Sequence, residues 1–264
     1  MWIVIFCLLG GFQASLSAQG LPPRDNPYDV IGKMFQPLWS VFLSESAGAN
    51  KAMTLTMEMS RAGSGAEAST VRLSVQFPDK VRLEAPVLGE NVVVCRDGDR
   101  VWATPGEKIE FLLKQFRIVP GRAKNFSTPI PLPITAQQAI FLPALFTVER
   151  SDVAEVDEID GVPYRVLTAT LMPELERMVN AEDFHARVWV ASTYAPRRLE
   201  LRSGNFNAVV DIKEMLFARD LPVSTWARPV GSADVYSTNA DMLEGLLSVV
   251  MNSMGSGAQK LSFR

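Results

Sequence analysis

Alternation of apolar and polar residues is the feature that most constrains the fold of this chain. Three stretches show it clearly, with apolar residues at Met53, Leu55, Met57 and Met59, then at Val71, Leu73, Val75 and Phe77, and then at Val81 and Leu83. A period of two places successive side chains on opposite faces of a strand. Strands with one apolar and one polar face are typical of an antiparallel sheet that packs on one side only.

The same pattern continues along the chain. Asp97-Gly98 and Asp160-Gly161 are hairpin signals between apolar runs, and alternation returns from Phe146 onward. We count about eleven strands. A helical period over 28–42, capped by Asn26, precedes them, and a helical stripe over 242–250 follows. Periodicity therefore predicts an α+β fold: one strongly curved antiparallel sheet with helices over its apolar side. Pro37 is expected to kink or split the first helix.

The first eighteen residues are typical of a secretory signal peptide. They carry no charge, and an apolar run over 2–9 is followed by small residues that end at Ala18. The run is shorter than the roughly 20 residues that span a bilayer. No Lys or Arg precedes it, so an uncleaved anchor is the alternative to cleavage near Ala18. We expect an exported protein with a signal at 1–18, an extended leader at 19–27, one domain at 28–235, and a helix and tail at 236–264.

Charge and cysteine content exclude several classes of protein. The formal net charge of −3 favours no nucleic-acid partner, which would require a clustered basic surface. Cys7 lies in the signal region. A lipidated cysteine is expected to follow a small residue, and Phe6 stands at that position, so lipidation of Cys7 is disfavoured. Cys95 is then the only cysteine of the mature chain, and its apolar neighbours Val92-Val93-Val94 predict a buried, inert thiol.

Residues 118–146 interrupt the strand pattern with five prolines. Between them, 134–146 is strongly apolar and contains Ile140, Phe141 and Leu145. An exposed segment of this composition would be an apolar patch that monomers avoid. We therefore expect it to cover the apolar face of the sheet as a lid.

Several segments resemble, in order and spacing, the periplasmic lipoprotein carriers of the Lol system. The similar segments are Phe77–Glu84, Asp97–Trp102, Asp160–Leu167, Trp189–Leu201 and Leu221–Gly231. The resemblance implies an unclosed β half-barrel whose apolar cavity, covered by helices, holds acyl chains. It also implies a periplasmic location.

Alternation and resemblance together give the candidate cavity. The residues expected to line it are Leu55, Met57, Val71, Leu73, Val75, Val81, Leu83, Trp102 and Val188, beneath the lid residues Ile140, Phe141 and Leu145. Arg72, Arg82 and Arg187 alternate with them and are expected to face solvent. One position departs from the family: Phe77 stands where the carriers have an arginine that latches the lid, so closure is expected to rest on apolar contact. The helix over 242–250 has no counterpart in the family.

Other candidate sites have plainer interpretations. His185, the only histidine, is expected on the solvated face of its strand, and no His or Cys spacing suits zinc. The acidic residues 152–160 lack calcium-loop spacing and suit a solvated strand and turn. Arg197, Arg198 and Arg202 either form an ordinary outward face or meet anionic head groups or a partner. The methionines of 53–59 either fill the core or give a cavity the flexibility to accept varied apolar chains.

The sequence favours an exported, non-enzymatic carrier for lipid or lipoprotein acyl chains, without metal or cofactor. A membrane-associated donor or acceptor protein would open the lid. The alternative is an envelope module on the same fold that senses lipid or binds a protein. An enzyme is disfavoured, because no acid–base or nucleophilic constellation is visible.

Overall fold

The computed structural model describes residues 25–43, 51–61, 68–117, 146–149, 155–173, 176, 183–204, 206–229, 234–239, and 242–250 without 244 and 248. Its strands are β1 (Ala52–Arg61), β2 (Ser69–Gln76), β3 (Lys80–Val87), β4 (Glu90–Asp97), β5 (Arg100–Thr104), β6 (Phe146–Val148), β7 (Glu155–Ile159), β8 (Val162–Leu171), β9 (His185–Val190), β10 (Pro196–Ser203), β11 (Phe206–Ala218) and β12 (Tyr236–Asn239).

All twelve strands form one antiparallel sheet, in the order β12-β5-β4-β3-β2-β1-β11-β10-β9-β8-β6, with β7 also paired to β8. The order joins two meanders through the long pairing of β1 with β11. Among the described residues β12 and β6 stand at opposite ends of the order, so the sheet does not close. The expected unclosed antiparallel sheet is confirmed, with twelve strands where the sequence indicated about eleven.

Tight turns connect the strands of both hairpins that the sequence predicted. Asp160 and Gly161 have φ values of 53° and 76°, and Ile159 pairs with Val162 across them. Positive φ at both turn residues is the geometry that matches the twist of the flanking strands. The β4–β5 turn consists of Gly98 and Asp99, one position later than the dipeptide that signalled it.

The first helix, α1, runs over Pro27–Leu43. Asn26 caps it, because its Oδ1 accepts the Tyr28 N–H at 3.0 Å, as the sequence indicated. Pro37 lies inside the helix and does not split it. Among its described side chains, the buried ones belong to the largest apolar cluster, here called the main core: Val30, Ile31, Met34, Phe35 and Val41. Tyr28 is exposed.

Two elements were not anticipated. Helix α2 covers Gly106–Gln115 and buries Ile109, Leu112 and Leu113. Strand β12 pairs with the edge of β5, so residues 236–239, expected in the C-terminal helix and tail, belong to the sheet. The expected helix over 242–250, here called the C-terminal helix, contributes Met242, Leu243, Leu246, Val249 and Val250 to the main core.

Some expectations fall outside the described residues: the signal at 1–18, most of the leader, and the lid with Ile140, Phe141 and Leu145. Phe146, the last residue assigned to the lid segment, begins β6. No helix in the described part of the chain has the length and apolarity to cross a membrane.

Candidate functional site

The inner face of the sheet, defined as the face that α1, α2 and the C-terminal helix cover, carries continuous rows of apolar side chains. The first row crosses six strands, because each member pairs with the next in register. Its members are Met215 on β11, Leu55 on β1, Leu73 on β2, Leu83 on β3, Val94 on β4 and Ala103 on β5. Each is at most 8% exposed. Residues in register share one face, so alternation in each strand converges on a single apolar surface.

A second row extends the inner face across the other half of the sheet. It contains Met59 on β1, Val210 on β11, Leu199 on β10, Val188 on β9 and Leu167 on β8. All belong to the main core or pack against it. The two rows meet where β1 pairs with β11, so the apolar surface runs from β5 to β8.

A bulge in β11 keeps both halves of the inner face in phase. Met57 pairs with Ile212 and Thr56 with Glu214, so Lys213 is the extra residue. Lys213 and Glu214 are both exposed, and Ile212 and Met215 on either side of them are both buried. The extra residue of a bulge shifts the alternation by one position. Without it Met215 would face outward.

The structure brings together eight of the nine residues predicted for the cavity. Leu55, Met57, Val71, Leu73, Val75, Val81, Leu83 and Val188 lie in one cluster, and each is at most 4% exposed. Four of the eight belong to the two rows: Leu55, Leu73 and Leu83 to the first row, and Val188 to the second. Phe77, at the β2–β3 turn, is partly buried and packs against the same cluster.

Trp102 is the exception, and its assignment to the cavity was wrong. Its neighbours Val101 and Ala103 occupy the inner face, so alternation turns Trp102 outward. It pairs with Cys95 on one side and Ser237 on the other. Its indole belongs to a separate cluster with Val93, Cys95 and Trp226. The period of the strand decides which face Trp102 occupies.

Methionines are concentrated in the main core. Of the seven methionines among the described residues, five are buried there and Met59 packs against that core; the five are Met34, Met53, Met57, Met215 and Met242. They come from α1, β1, β11 and the C-terminal helix. Unbranched thioether side chains adapt to irregular apolar shapes at low energetic cost. The inner face can therefore change its contour more readily than one made of branched residues.

The outer face of β3–β5 is covered by the segment that follows β11. This outer clamp consists of Leu221–Trp226 packed on Val93, Cys95 and Trp102. The Trp102 Nε1–H donates to the Trp226 carbonyl oxygen at 3.3 Å, and Arg82 Nη1 donates to the Thr225 carbonyl oxygen at 2.9 Å. Burial raises the pKa of the Cys95 thiol to about 12, which agrees with the expected inert cysteine.

The three arginines predicted to face solvent all lie on the outer face, but the outer clamp covers one of them. The side chains of Arg72 and Arg187 are 55% and 40% exposed, and that of Arg82 is only 18% exposed because the outer clamp lies over it. Arg82 also stacks above the Trp102 ring at 5.5 Å. Arg82 therefore attaches the clamp to the sheet.

A polar cluster, here called the α1 latch, fixes the start of α1 against the sheet. Lys33 Nζ donates to Asp25 Oδ2 at 2.5 Å and to the Tyr194 hydroxyl at 3.0 Å, and that hydroxyl donates to Asp25 Oδ2 at 2.6 Å. Buried Arg165 donates to the Asp25 backbone carbonyl. The hydrogen bonds from Lys33 and Tyr194 lower the pKa of Asp25, and Asp25 in turn raises the pKa of Lys33.

The remaining candidates take structural positions. His185 is exposed, opposite buried Phe184 and Ala186. Arg198 forms a two-bond ion pair with Asp211 on the next strand, and Arg197 donates to the Ile212 carbonyl oxygen. In the acidic stretch, the Trp189 indole N–H donates to Asp157 at 3.0 Å and lowers its pKa. These contacts pair Arg197, Arg198 and Asp157 within the protein.

Comparison with known proteins gives structural likeness only. No protein-family model and no curated protein sequence matches this chain. Among solved structures, the chain is similar to the lipoprotein LppX of Mycobacterium tuberculosis at 12% identity, over 75% of this chain and 97% of that one, with a TM-score of 0.42. It is similar to LprF of Mycobacterium bovis at 10% identity, over 77% and 98%, with a TM-score of 0.39. A LolA superfamily protein from Nitrosomonas europaea is similar at 12% identity, over 75% and 97%, with a TM-score of 0.29.

Proposed function

We propose that this protein is an exported, non-enzymatic binding protein that holds lipid acyl chains, such as those of lipoproteins, against the inner face of its sheet. The proposed binding residues are the eight predicted cavity residues that share the inner face: Leu55, Met57, Val71, Leu73, Val75, Val81, Leu83 and Val188. Trp102 is not among them. The lid residues Ile140, Phe141 and Leu145 keep their proposed place over the bound chain. The signal-like residues 1–18 direct the protein to the cell envelope, where a membrane-associated partner supplies or receives the lipid.

One observation carries this proposal: two rows of apolar side chains cross the inner face from β5 to β8, and two charged residues of that face, Arg96 on β4 and Arg165 on β8, lie outside both rows. The first row of six residues contains no polar side chain, and neither does the second row. Burying a methylene contributes about 0.8 kcal/mol, so affinity for an acyl chain grows with the length laid along such a surface. Selectivity among chains is then low, and the buried methionines suit that breadth.

The unclosed sheet supports the same proposal. The strand number and stagger of a closed barrel fix its diameter, whereas an open sheet covered by separate helices can widen without breaking strand pairs. Here α1, α2 and the C-terminal helix lie over the inner face. A ligand can therefore reach the sheet when part of this helical cover moves, while all twelve strands stay paired.

The experiment is lipid analysis of the native protein, followed by binding to two matched variants. Organic extracts of purified protein should contain acyl lipids by mass spectrometry. Met215→Gln changes an inner-face residue that is 8% exposed, and Leu216→Gln changes its neighbour on the outer face, which is 51% exposed. We expect Met215→Gln to weaken binding of a fluorescent fatty acid about tenfold, or about 1.4 kcal/mol, and Leu216→Gln to leave it unchanged.

Circular dichroism checks that both variants fold. Lipid-free extracts together with no binding of the fluorescent fatty acid by the unmodified protein would refute the proposal. Equal binding by the folded Met215→Gln variant would place the ligand elsewhere than on the inner face.

A further inference from the structure

The two apolar rows of the inner face are covered in the structure. Every residue of the two rows except Met59 is at most 8% exposed, and Met59 is partly buried. An acyl chain cannot lie on these side chains until something that now covers them moves away. The described elements that cover them are α1, α2 and the C-terminal helix.

Helices α1 and α2 are held in place by directional polar contacts. The α1 latch ties the start of α1 to β8 and to the β9–β10 turn through Asp25, Lys33, Tyr194 and Arg165. The start of α2 is tied to Asp234, which accepts the Gly106 N–H at 3.1 Å and the Glu107 N–H at 2.8 Å. Lys108 of α2 also pairs with Glu90 of β4 at 3.1 Å. Moving either helix would break these bonds.

The described apolar residues of the C-terminal helix are buried in the main core. Met242, Leu243, Leu246, Val249 and Val250 are at most 5% exposed and lie in the same cluster as both rows. Apolar contact is non-directional and roughly proportional to area, so another apolar group of similar size can replace it. The helix follows β12, the last described strand in chain order, so it can leave without moving any other described strand.

We infer that the C-terminal helix is an internal occupant of the acyl-chain site, and that a bound acyl chain displaces it. This inference rests on the proposed function. The helix protects the apolar face while the protein is empty. Because it is tethered through β12, it competes with the ligand at a high effective concentration. The apparent affinity for lipid is then the intrinsic affinity multiplied by the fraction of molecules in which the helix is out.

Hydrogen exchange on the unmodified protein tests displacement directly. Exchange of the backbone amides of 242–250 is measured with and without saturating oleate, and the amides of α1 serve as the internal reference. We expect oleate to speed exchange in the helix at least tenfold and to leave α1 unchanged. Unchanged or slower exchange in the helix with oleate bound would overturn the inference while leaving the proposed function intact.

A matched pair of variants gives an independent measure. Val250→Ala weakens the packing of the C-terminal helix. Val93→Ala removes the same atoms from the apolar cluster beneath the outer clamp. The two valines are 0% and 6% exposed. We expect Val250→Ala to raise oleate affinity at least fivefold and Val93→Ala to leave it unchanged. Equal affinities in both variants would contradict displacement. If oleate binds neither the unmodified protein nor Val250→Ala, the proposed function fails and this inference fails with it.

Discussion

The Trp102 indole N–H donates to the backbone carbonyl oxygen of Trp226, 3.3 Å away, and this bond links the outer face of β5 to a segment 124 residues later in the chain. Trp226 is 3% exposed and packs with Val93, Cys95 and Trp102. Lys80 lies 5.7 Å from the centre of its ring. The sheet is therefore packed on both faces in this region: by helices inside and by the outer clamp outside.

Removing the indole of Trp226 should destabilise the protein. Trp226→Ala leaves a cavity between the outer clamp and β3–β5, and truncations of buried aromatic residues cost about 3–5 kcal/mol. Val223→Ala, in the same segment but 84% exposed, should change the free energy of unfolding by less than about 0.5 kcal/mol. Urea unfolding of the two variants checks this. Equal stabilities would mean that the clamp does not contribute to folding.

The β3–β4 turn offers a stabilising substitution. Leu88 has a φ of 50° and is 52% exposed, and Gly89 follows it with a φ of 83°. A turn with positive φ at both positions favours Asn-Gly, and leucine is strained there. Leu88→Asn should raise the free energy of unfolding by about 1 kcal/mol. Leu88→Val, which places a branched side chain in the same conformation, should lower it; the opposite order in thermal unfolding would contradict this account of the turn.

The α1 latch should make stability depend on pH at the acid end. The pKa of Asp25 is lowered from 3.8, so the unfolded chain binds the proton more readily than the folded protein does. The stabilisation by Asp25 is therefore present above pH 3.8 and is lost as the pH falls through the lower folded value. Asp25→Asn should be less stable than the parent at pH 7, and the difference should shrink below pH 3.8. A difference that stays constant with pH would remove the latch as its source.

Tyr194→Phe tests the same latch from the other side. It removes the hydroxyl that donates to Asp25 Oδ2 and accepts from Lys33. We expect it to weaken the acid dependence of the unfolding free energy without abolishing it, because Lys33 still donates to Asp25. Acid dependence equal to that of the parent would show that the hydroxyl has no part in the latch.

Cys95 should resist thiol reagents until the protein unfolds. Burial raises the pKa of its thiol to about 12, so the reactive thiolate is scarce near neutral pH, and the outer clamp covers it. In a Cys7→Ser background, a disulfide-exchange reagent should label the native protein far more slowly than the protein in guanidinium. Comparable rates would show that the clamp opens readily.

Residue patterns predicted the fold where local sequence determines it. Neighbouring residues alone indicate these elements. Leu55 alternates with Thr54 and Thr56 in a strand, and Asp160-Gly161 forms a hairpin turn. Asn26 specified the start of α1 because a cap acts on neighbouring amides. Pairing across the sheet then brought eight predicted residues to one face.

Elements that depend on distant partners were missed. Strand β12, with the sequence Tyr-Ser-Thr-Asn, has no apolar alternation and forms because the edge of β5 is available. Helix α2 offers only Ile109, Leu112 and Leu113 at helical spacing, a signal that the adjoining proline-rich stretch obscured. The outer clamp could not be predicted, because no residue near Trp226 in the sequence indicates that it packs on Trp102.

Photo-crosslinking tests the central claim most directly. A fatty acid that carries a diazirine along its chain is bound to the unmodified protein and activated, and the labelled residues are identified by mass spectrometry. Binding on the inner face predicts labels on residues of the two rows, such as Leu55, Leu73 and Met215. Labels confined to outer-face residues, such as Leu216 and Val223, would contradict the account.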